Sequence, residues 1–175
     1  MILKPQDVAV SLLLAVHPAE RRTYVGVGKR LGLSAAEAHN ATVRARKAKL
    51  IRRGDDEVQG RPTLKVQIDS LLEFLVHGIR YVFVPERGPL TRGVPTAHGA
   101  PPLNRIIVSS DPVPVWPDPR GSVRGESFEP LYPAALIAAQ DPRMYEALAL
   151  IDALRSGRAR ERKLAAEALT TALKA

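Results

Sequence analysis

The stretch TYVGVGKRLGLSAAEAHNATVRARKAKLI, residues 23–51, carries the strongest fold signal in the chain. Thr23 is a suitable N-cap for a first helix over residues 24–31, because its hydroxyl accepts a hydrogen bond from a free N–H of the first turn. Gly32 suits the left-handed position that ends a helix, and Leu33 is an apolar residue for the interior of a turn. The pattern predicts a short helix followed by a tight turn.

A second helix is predicted directly after the turn. Ser34 and Glu37 have the S-x-x-E spacing of a capping box, which marks a helix start, and the helical pattern continues to about Lys49. One face holds small apolar residues and the other holds polar and basic ones, as expected for a helix between a core and solvent. The apolar face comprises Ala38, Ala41, Ala45 and Ala48, and the polar face comprises His39, Asn40, Arg44 and Lys47.

A basic hairpin is predicted after the second helix, within residues 50–68. A strand begins at Leu50, residues 60–62 have turn chemistry, and residues 63–68 alternate as a returning strand does.

Helices are also predicted on both sides of this region. Pro5 fits the first turn of a helix, and apolar residues recur at helical spacing over residues 5–17. After the hairpin, residues 71–84 have a helical pattern that starts from a cap at Asp69 or Ser70.

The composition changes at Pro85, and 12 of the 15 prolines lie within residues 85–142. Apolar residues are interspersed among them, which favours an ordered, loop-rich module; the alternative is a flexible tether that becomes ordered on a partner. One or two short strands are predicted in this module, at residues 105–109 and near Val123. Two helices, over residues 142–155 and 159–173, are predicted to close the chain.

Positive charge is concentrated in the first part of the chain. Of the net charge of +8, residues 1–66 contribute +7, because they hold 13 Lys/Arg and 6 Asp/Glu. Residues 67–175 hold 13 Lys/Arg and 12 Asp/Glu. This distribution indicates an acidic partner for the first part, such as nucleic acid. The alternative is a chain that is basic without a specific partner.

Several classes of protein are disfavoured by the sequence. The chain has no Cys, which excludes a disulfide framework and a Cys-based zinc site. It has no run of about 20 apolar residues for a membrane span, and Lys4, Pro5 and Asp7 disfavour a signal peptide at the start. A cytoplasmic, nucleoid-associated location is therefore expected. The histidines lack metal-ligand spacing, and no metal or other cofactor is predicted.

Residues 3–68 resemble the winged helix-turn-helix of bacterial transcriptional regulators of the MarR-like kind. The resemblance rests on LGLSAAEAHNATVRARKAKLI, which fits the family shape L-G-L-S-x-x-x-V-x-x-x-L-x-x-L-x-x-x-x-L-I. Ala38, Thr42 and Ala45 stand where the family has larger aliphatic residues, so the second helix is expected to lie close to the core or to be held less firmly. Lys49 stands where Gly is common. The resemblance implies binding to operator DNA.

The predicted fold class is mainly α with a small β wing. It consists of an N-terminal winged helix-turn-helix plus a Pro-rich, loop-rich C-terminal module closed by two helices. The predicted domains are residues 1–84, for DNA binding and a linker helix, and residues 85–175, for dimerisation, partner binding or ligand binding.

Double-stranded DNA is the expected partner of the first domain. Exposed side chains near the start of a recognition helix reach base edges, where Asn pairs with adenine and Arg with guanine. Basic residues of a wing contact phosphates or the minor groove. A homodimer is expected, because one recognition helix reads only a few base pairs. The alternative is a solvated polar helix face. The predicted DNA-binding residues are Ser34, Ala36, His39, Asn40, Arg44, Lys47, Arg52, Arg53, Arg61 and Lys65.

The favoured interpretation is a sequence-specific DNA-binding transcriptional regulator, and it has competitors. The first is a DNA-binding antitoxin that autoregulates its operon and binds a partner protein through residues 85–175. A second is a winged helix that binds protein, which exposed apolar residues on the second helix would favour. No enzymatic activity and no catalytic residue is predicted, because the chain has no nucleophile or phosphate-loop motif.

Two other segments carry weaker signals. The Gly- and Pro-containing loop at residues 91–100, which includes His98, has residue types that line ligand pockets. The basic start of the last predicted helix suggests a second nucleic-acid contact or a partner surface, and the alternative is a solvated basic face. Its basic residues are Arg158, Arg160, Arg162 and Lys163.

Overall fold

The computed structural model describes residues 2–19, 23–58 and 61–175, without the side chains of residues 57, 58, 61 and 62. Over these residues the chain is an α-rich mixed α/β structure with two small sheets. The helices are α1 (Pro5–Val16), α2 (Tyr24–Leu31), α3 (Ala35–Lys47), α4 (Ile68–Glu73), α5 (Ile79–Val82), α6 (Ala135–Ala138), α7 (Pro142–Ser156) and α8 (Ala159–Lys174). The strands are β1 (Ile51–Val58), β2 (Arg61–Val66), β3 (Arg87–Pro95), β4 (Pro114–Pro117) and β5 (Val123–Phe128).

The two predicted helices and their turn are confirmed as α2 and α3. The Thr23 hydroxyl accepts a hydrogen bond from the N–H of Gly26, and the Ser34 hydroxyl accepts one from the N–H of Glu37. Gly32 has a φ of 67°, the left-handed conformation that ends α2. Gly28 permits close approach of the turn, because a Cβ there would lie 2.5 Å from the carbonyl oxygen of Leu33.

A two-stranded antiparallel hairpin follows α3, as predicted. Ile51 pairs with Val66 and Arg52 pairs with Lys65, so Arg52 and Lys65 lie side by side on one face. The returning strand β2 ends at Val66 rather than at residue 68, because α4 already begins at Ile68. The predicted hairpin is therefore confirmed with a shift of about two residues.

Lys49 links α3 to the hairpin in a conformation that favours glycine. Its φ is 63°, and its N–H donates to the carbonyl of Arg46. The side chain of Lys49 is exposed. A left-handed conformation brings the Cβ of an L-residue too close to the backbone, which explains why Gly fits this position well.

Replacing Lys49 by Gly is expected to raise the free energy of unfolding by about 0.5 to 1 kcal/mol, because Gly adopts this conformation without steric cost. Urea denaturation followed by the fluorescence of Trp116 measures the change. The matched control is Lys163→Gly, an exposed site inside α8, where the loss of helix propensity is expected to cost about 1 kcal/mol. A loss of stability in both variants would contradict the argument from backbone conformation.

The helical run after the hairpin begins three residues earlier than predicted and is not uniform. Between α4 and α5, residues Phe74–Gly78 form a π-helical segment. Gly78 lies against the ring of Phe74, where a Cβ would stand 3.0 Å from Cδ2. Hydrophobic periodicity indicates the helical run but does not reveal this local change of pitch.

The Pro-rich segment is ordered and contains a small closed barrel of three strands. β3 pairs antiparallel with both β4 and β5, and β4 pairs parallel with β5. The strand predicted near Val123 is confirmed as β5. The strand predicted at residues 105–109 is wrong: the N–H groups of Ile106 and Ile107 bond back to Leu103 in a turn, and Val108 is fully exposed.

One hydrophobic core joins the N-terminal helices to the C-terminal module. Helix α7 is at its centre, and ten of its 15 residues are buried. This helix contacts α1 on one side and α8 on another, so it is shielded more completely than the single predicted apolar stripe implies. The change of composition at Pro85 therefore does not coincide with a gap in the packing. Among the described residues, no helix is long and apolar enough to cross a membrane.

Candidate functional site

The most distinctive polar surface is the outer face of α3. Ala36, His39, Asn40 and Lys47 are all exposed, and their spacing of three, four or seven residues places them along one side of the helix. The opposite side is buried: Ala38, Ala41, Thr42 and Ala45 face the core, where α3 packs against both α1 and α2. Their small size allows α3 to lie close to the core, as expected from the departures from the family pattern.

Asn40 and His39 present two different kinds of polar group on this face. The side chain of Asn40 makes no hydrogen bond to any residue that the structure describes, so its amide is available to a ligand. His39 is oriented by Tyr24, whose ring contacts it edge-on with 4.9 Å between the ring centroids. Ser34 is exposed at the start of the helix, although its hydroxyl is used in the N-cap.

Arg44 is placed differently from the other predicted base-contacting residues, because its side chain is engaged inside the protein. Its guanidinium is directed inward, where Nε donates to Asp7 at 2.9 Å and Nη2 donates to Glu37 at 2.8 Å. Asp7 is fully buried. The hydrogen bond to Asp7 raises the pKa of Arg44, although burial acts in the opposite direction. In this structure Arg44 links α3 to α1 and is not presented to a ligand.

The ion pair between Arg44 and Asp7 could not be predicted from the sequence, because the two residues are distant along the chain. Asp7 precedes Arg44 by 37 residues, and it reads as an ordinary acidic residue in the first turn of a helix. Its side chain also accepts from the N–H of Lys4 at 2.9 Å. A signal was present in the helical spacing from Glu37 to Arg44, which places both residues on one side of α3.

The hairpin adds basic residues next to α3, and they are less free than predicted. Arg52 lies 3.6 Å from Asp55, and Lys65 lies 3.4 Å from Asp56. These surface pairs are weak, because solvent and salt screen them. Arg53 is exposed without an ion-pair partner among the described residues. Arg61 is also a predicted DNA contact, but its side chain lies outside the part of the chain that the structure describes.

A polar cluster fixes α2 to the start of α7. Asp141 accepts hydrogen bonds from His17 and Arg30, and its other carboxylate oxygen caps α7 through the N–H of Arg143. Burial opposes ionisation of Asp141, but the bonds from His17 and Arg30 outweigh it and hold its pKa below the ordinary value of 3.8. The turn residue Gly32 also lies against α6, where a Cβ would stand 2.7 Å from Ile137. The α2–α3 pair is thus anchored to the C-terminal module.

The segment around His98 lies beside a groove between β3, a 3₁₀ turn (Ala97–Gly99) and the α7–α8 junction. His98 Nδ1 is 3.8 Å from Glu161 Oε1, and Nε2 is buried without a hydrogen-bond partner in the described structure. The groove is also lined by Arg87 and Arg158, which are paired with Glu126 and Asp111. Among the described residues, no three His, Asp or Glu side chains are placed to hold a metal ion.

Comparison with known proteins gave no relatives. The chain matches no protein-family model, and the searches of curated proteins and of solved structures returned no match. Function must therefore be inferred from the surface chemistry of the chain itself.

Proposed function

We propose that the protein is a sequence-specific, double-stranded DNA-binding transcriptional regulator. In this proposal α3 is the recognition helix of a winged helix-turn-helix and enters the major groove. The hairpin β1–β2 is the wing and contacts the DNA backbone or the minor groove. The observation that carries the proposal is the outer face of α3, which is polar and exposed, while the other face is held in the core; at Asn40 the side chain has no hydrogen-bond partner among the residues that the structure describes.

The residues of α3 have different roles in this proposal. Asn40 carries an amide that pairs bidentately with an adenine edge, and Ala36 has a methyl group that fits against the methyl of a thymine. His39, held by Tyr24, reaches a base or a phosphate. Ser34 lies at the helix N-terminus, where backbone N–H groups favour a phosphate. Arg44 is left out of this set, because it holds Asp7 and Glu37.

The backbone contacts come from the basic residues beyond the base-reading positions. Lys47 lies further along the outer face of α3, and Arg52 and Lys65 are neighbours on one face of the hairpin. Arg53 and Arg61 complete the proposed set. Phosphate contacts of this kind set affinity and register but do not distinguish sequences. A homodimer with two symmetric half-sites is part of the proposal, because one helix reads few base pairs.

The antitoxin alternative depends on residues 85–132 as an extended stretch whose apolar residues are free to wrap a partner protein. In the structure the segment is folded, and Trp116, Phe128 and Tyr132 are buried in the protein's own core. The large apolar residues of this stretch that remain exposed are Leu90, Ile106 and Val108.

Binding of fluorescent DNA tests the proposal. Anisotropy is measured with the DNA upstream of the protein's own gene and with a scrambled duplex, across a salt series. Asn40→Ala is expected to weaken binding to the upstream DNA by about 1 to 3 kcal/mol with little effect on the scrambled duplex. Lys47→Ala is expected to weaken binding to both the upstream and the scrambled duplex, and to reduce the dependence of log affinity on log salt concentration by about 1.

The matched control is Asn104→Ala, because Asn104 is the other asparagine of the chain and is also exposed. It lies in a loop of the C-terminal module, so its removal is expected to leave both duplexes bound as in the wild type. If Asn40→Ala behaves as Asn104→Ala does on a duplex that the wild type prefers, then α3 does not read bases and the proposal fails.

A further inference from the structure

Three arginines lie close together at one end of the β3–β5 barrel. Arg92 on β3 and Arg124 on β5 are directly opposite each other in the antiparallel ladder, so their side chains share one face. Arg120 belongs to the loop that joins β4 to β5, and Arg92 Nη1 donates to the carbonyl of Gly121 in the same loop at 3.3 Å. We call Arg92, Arg120 and Arg124 the barrel arginines.

The internal contacts of the barrel arginines do not explain their placement. Like charges directly opposite each other destabilise a sheet, and Arg124 has no partner among the described residues. The side chain of Arg120 is 89% exposed, and Asp118 is its ion-pair partner at 3.4 Å. The hydrogen bond from the Arg120 N–H lowers the pKa of Asp118, so this carboxylate is ionised and offsets part of the charge. An excess of positive charge remains.

The backbone holds these arginines in a fixed arrangement. Gly121 packs directly on β3, where a Cβ would lie 2.2 Å from the carbonyl carbon of Gly93. The N–H of Asp118 donates to the carbonyl of Arg92, and the N–H of Gly121 donates to the carbonyl of Asp118. The loop is therefore tied to the strand that carries Arg92, and an anion would meet guanidinium groups on a preorganised support.

The strand that carries Arg92 packs along α7, the helix to which the α2–α3 pair is anchored. Strand β3 runs antiparallel to α7: Arg87 donates to Ser156 near the end of α7 at 3.1 Å, and Tyr145 near its start donates to the carbonyl of Pro95 at 2.7 Å. Arg92 lies between these two contacts, so the strand that carries it packs along the helix whose first turn is capped by Asp141, the partner of Arg30 in α2.

We propose that the barrel arginines are a second DNA-binding surface that contacts phosphates outside the segment read by α3. The choice of duplex DNA as the occupant rests on the proposed function, and the chemistry of the surface supports it independently. Guanidinium groups form paired hydrogen bonds with phosphate oxygens. Duplex DNA presents one negative charge per about 1.7 Å of its axis, so it matches a cluster of exposed arginines. The contact lengthens the footprint and adds affinity without adding sequence preference.

The test compares three proteins with the wild type: Arg120→Gln/Arg124→Gln, Asn40→Ala, and the control Arg105→Gln/Lys174→Gln. The control removes two exposed charges to which no DNA contact is assigned, one in the turn at residues 103–105 and one at the end of α8. Binding is measured by anisotropy with upstream and scrambled duplexes of about one and about three helical turns. Unfolding in urea verifies that all variants are folded.

The barrel double variant is expected to weaken binding to both long duplexes equally. The slope of the logarithm of its binding constant against the logarithm of salt concentration is expected to fall in magnitude by roughly 1.8. The loss of affinity between about 50 and 200 mM salt is then roughly tenfold smaller than in the wild type. The control is expected to keep the wild-type slope. An unchanged slope in the barrel variant, or an equal loss in the control, overturns the inference.

The two proposals fail in different ways. If Asn40→Ala retains wild-type preference while the barrel variant loses affinity for long duplexes, base reading by α3 is wrong and the barrel surface stands. If Asn40→Ala loses preference while the barrel variant matches the wild type at both lengths, the regulator proposal stands and the barrel surface is wrong.

Discussion

Replacing Arg44 by Ala lowers the free energy of unfolding by about 3 to 5 kcal/mol, the range observed when one partner of a buried ion pair is removed. Asp7 is fully buried and faces Arg44 at 2.8 Å, so the substitution leaves a carboxylate without its counter-charge. Glu37 loses the same partner but is one-third exposed, so water compensates it. Since small domains have a total stability of about 5 to 15 kcal/mol, the variant loses a large part of its stability.

Urea denaturation followed by circular dichroism and by the fluorescence of Trp116 measures this loss. The control is Lys47→Ala, three residues further along the same helix at an exposed site, where a change within about 0.5 kcal/mol is expected. The double variant Asp7→Asn/Arg44→Ala is expected to lose less than the two single variants together, because the buried charge is gone. Equal stability of Arg44→Ala and Lys47→Ala would refute the structural role of Arg44.

The instability expected of the Arg44→Ala variant makes it a poor probe of DNA binding. Arg44 has the sequence position of a base-reading residue, so Arg44→Ala is a natural first variant. A loss of DNA binding in that variant would follow from unfolding as readily as from a lost base contact. Asn40→Ala separates the two causes, because the Asn40 side chain has no internal hydrogen bond to lose among the described residues.

Replacing Asp152 by Ala is expected to lower the free energy of unfolding by about 3 to 5 kcal/mol as well. Asp152 is fully buried on α7 and accepts hydrogen bonds from Thr96 and Trp116 of the barrel module, each at 2.7 Å, and from Arg155 at 2.8 Å. Burial raises the pKa of Asp152, whereas Arg155 and these hydrogen bonds act in the opposite direction. The substitution leaves the buried Arg155 without its counter-charge and two further donors without their acceptor.

The fluorescence of Trp116 during urea denaturation measures the loss of stability in Asp152→Ala. It is the single tryptophan of the chain, and its indole N–H is one of the donors to Asp152. The control is Glu146→Ala, an exposed acidic residue on the same helix, for which little change is expected. Asp152→Asn preserves the volume but not the charge, and it is expected to be destabilised too. If Asp152→Ala unfolds at the same urea concentration as Glu146→Ala, the network does not stabilise the fold.

The elements with strong local signals could be predicted from the sequence. Helix α2 has its predicted bounds, and α7 and α8 lie within one residue of theirs. The ends of these helices are marked by residues whose capping or conformational preferences depend little on the rest of the fold, namely Thr23, Asp141, Pro142 and Gly157. The hairpin could be placed because an alternating pattern and turn-forming residues occur together, although Arg61 and Pro62, predicted for the turn, are paired residues of β2. These signals act over a few residues, which is the range that a pattern captures.

The barrel could not be placed from the sequence. Residues 105–109 have a strand-like run of apolar residues but no neighbouring strand to pair with, whereas β3 contains Gly, Pro and Arg and is a strand because two others pair with it. Strand pairing depends on distant segments, so local preference decides it poorly. The opposition of Arg92 and Arg124, 32 positions apart, arises from this pairing.

The sequence by itself determined the N-terminal helices, their turn, the basic hairpin and the polar outer face of α3, because caps, glycines and helical periodicity act locally. Only the tertiary structure decided which polar residues face solvent. Arg44 is turned inward by Asp7 of another helix, Asp152 is buried among barrel residues, and Arg120 and Arg124 are presented outward. A charged side chain is free or engaged according to what the fold brings against it, and those partners lie tens of residues away in the chain.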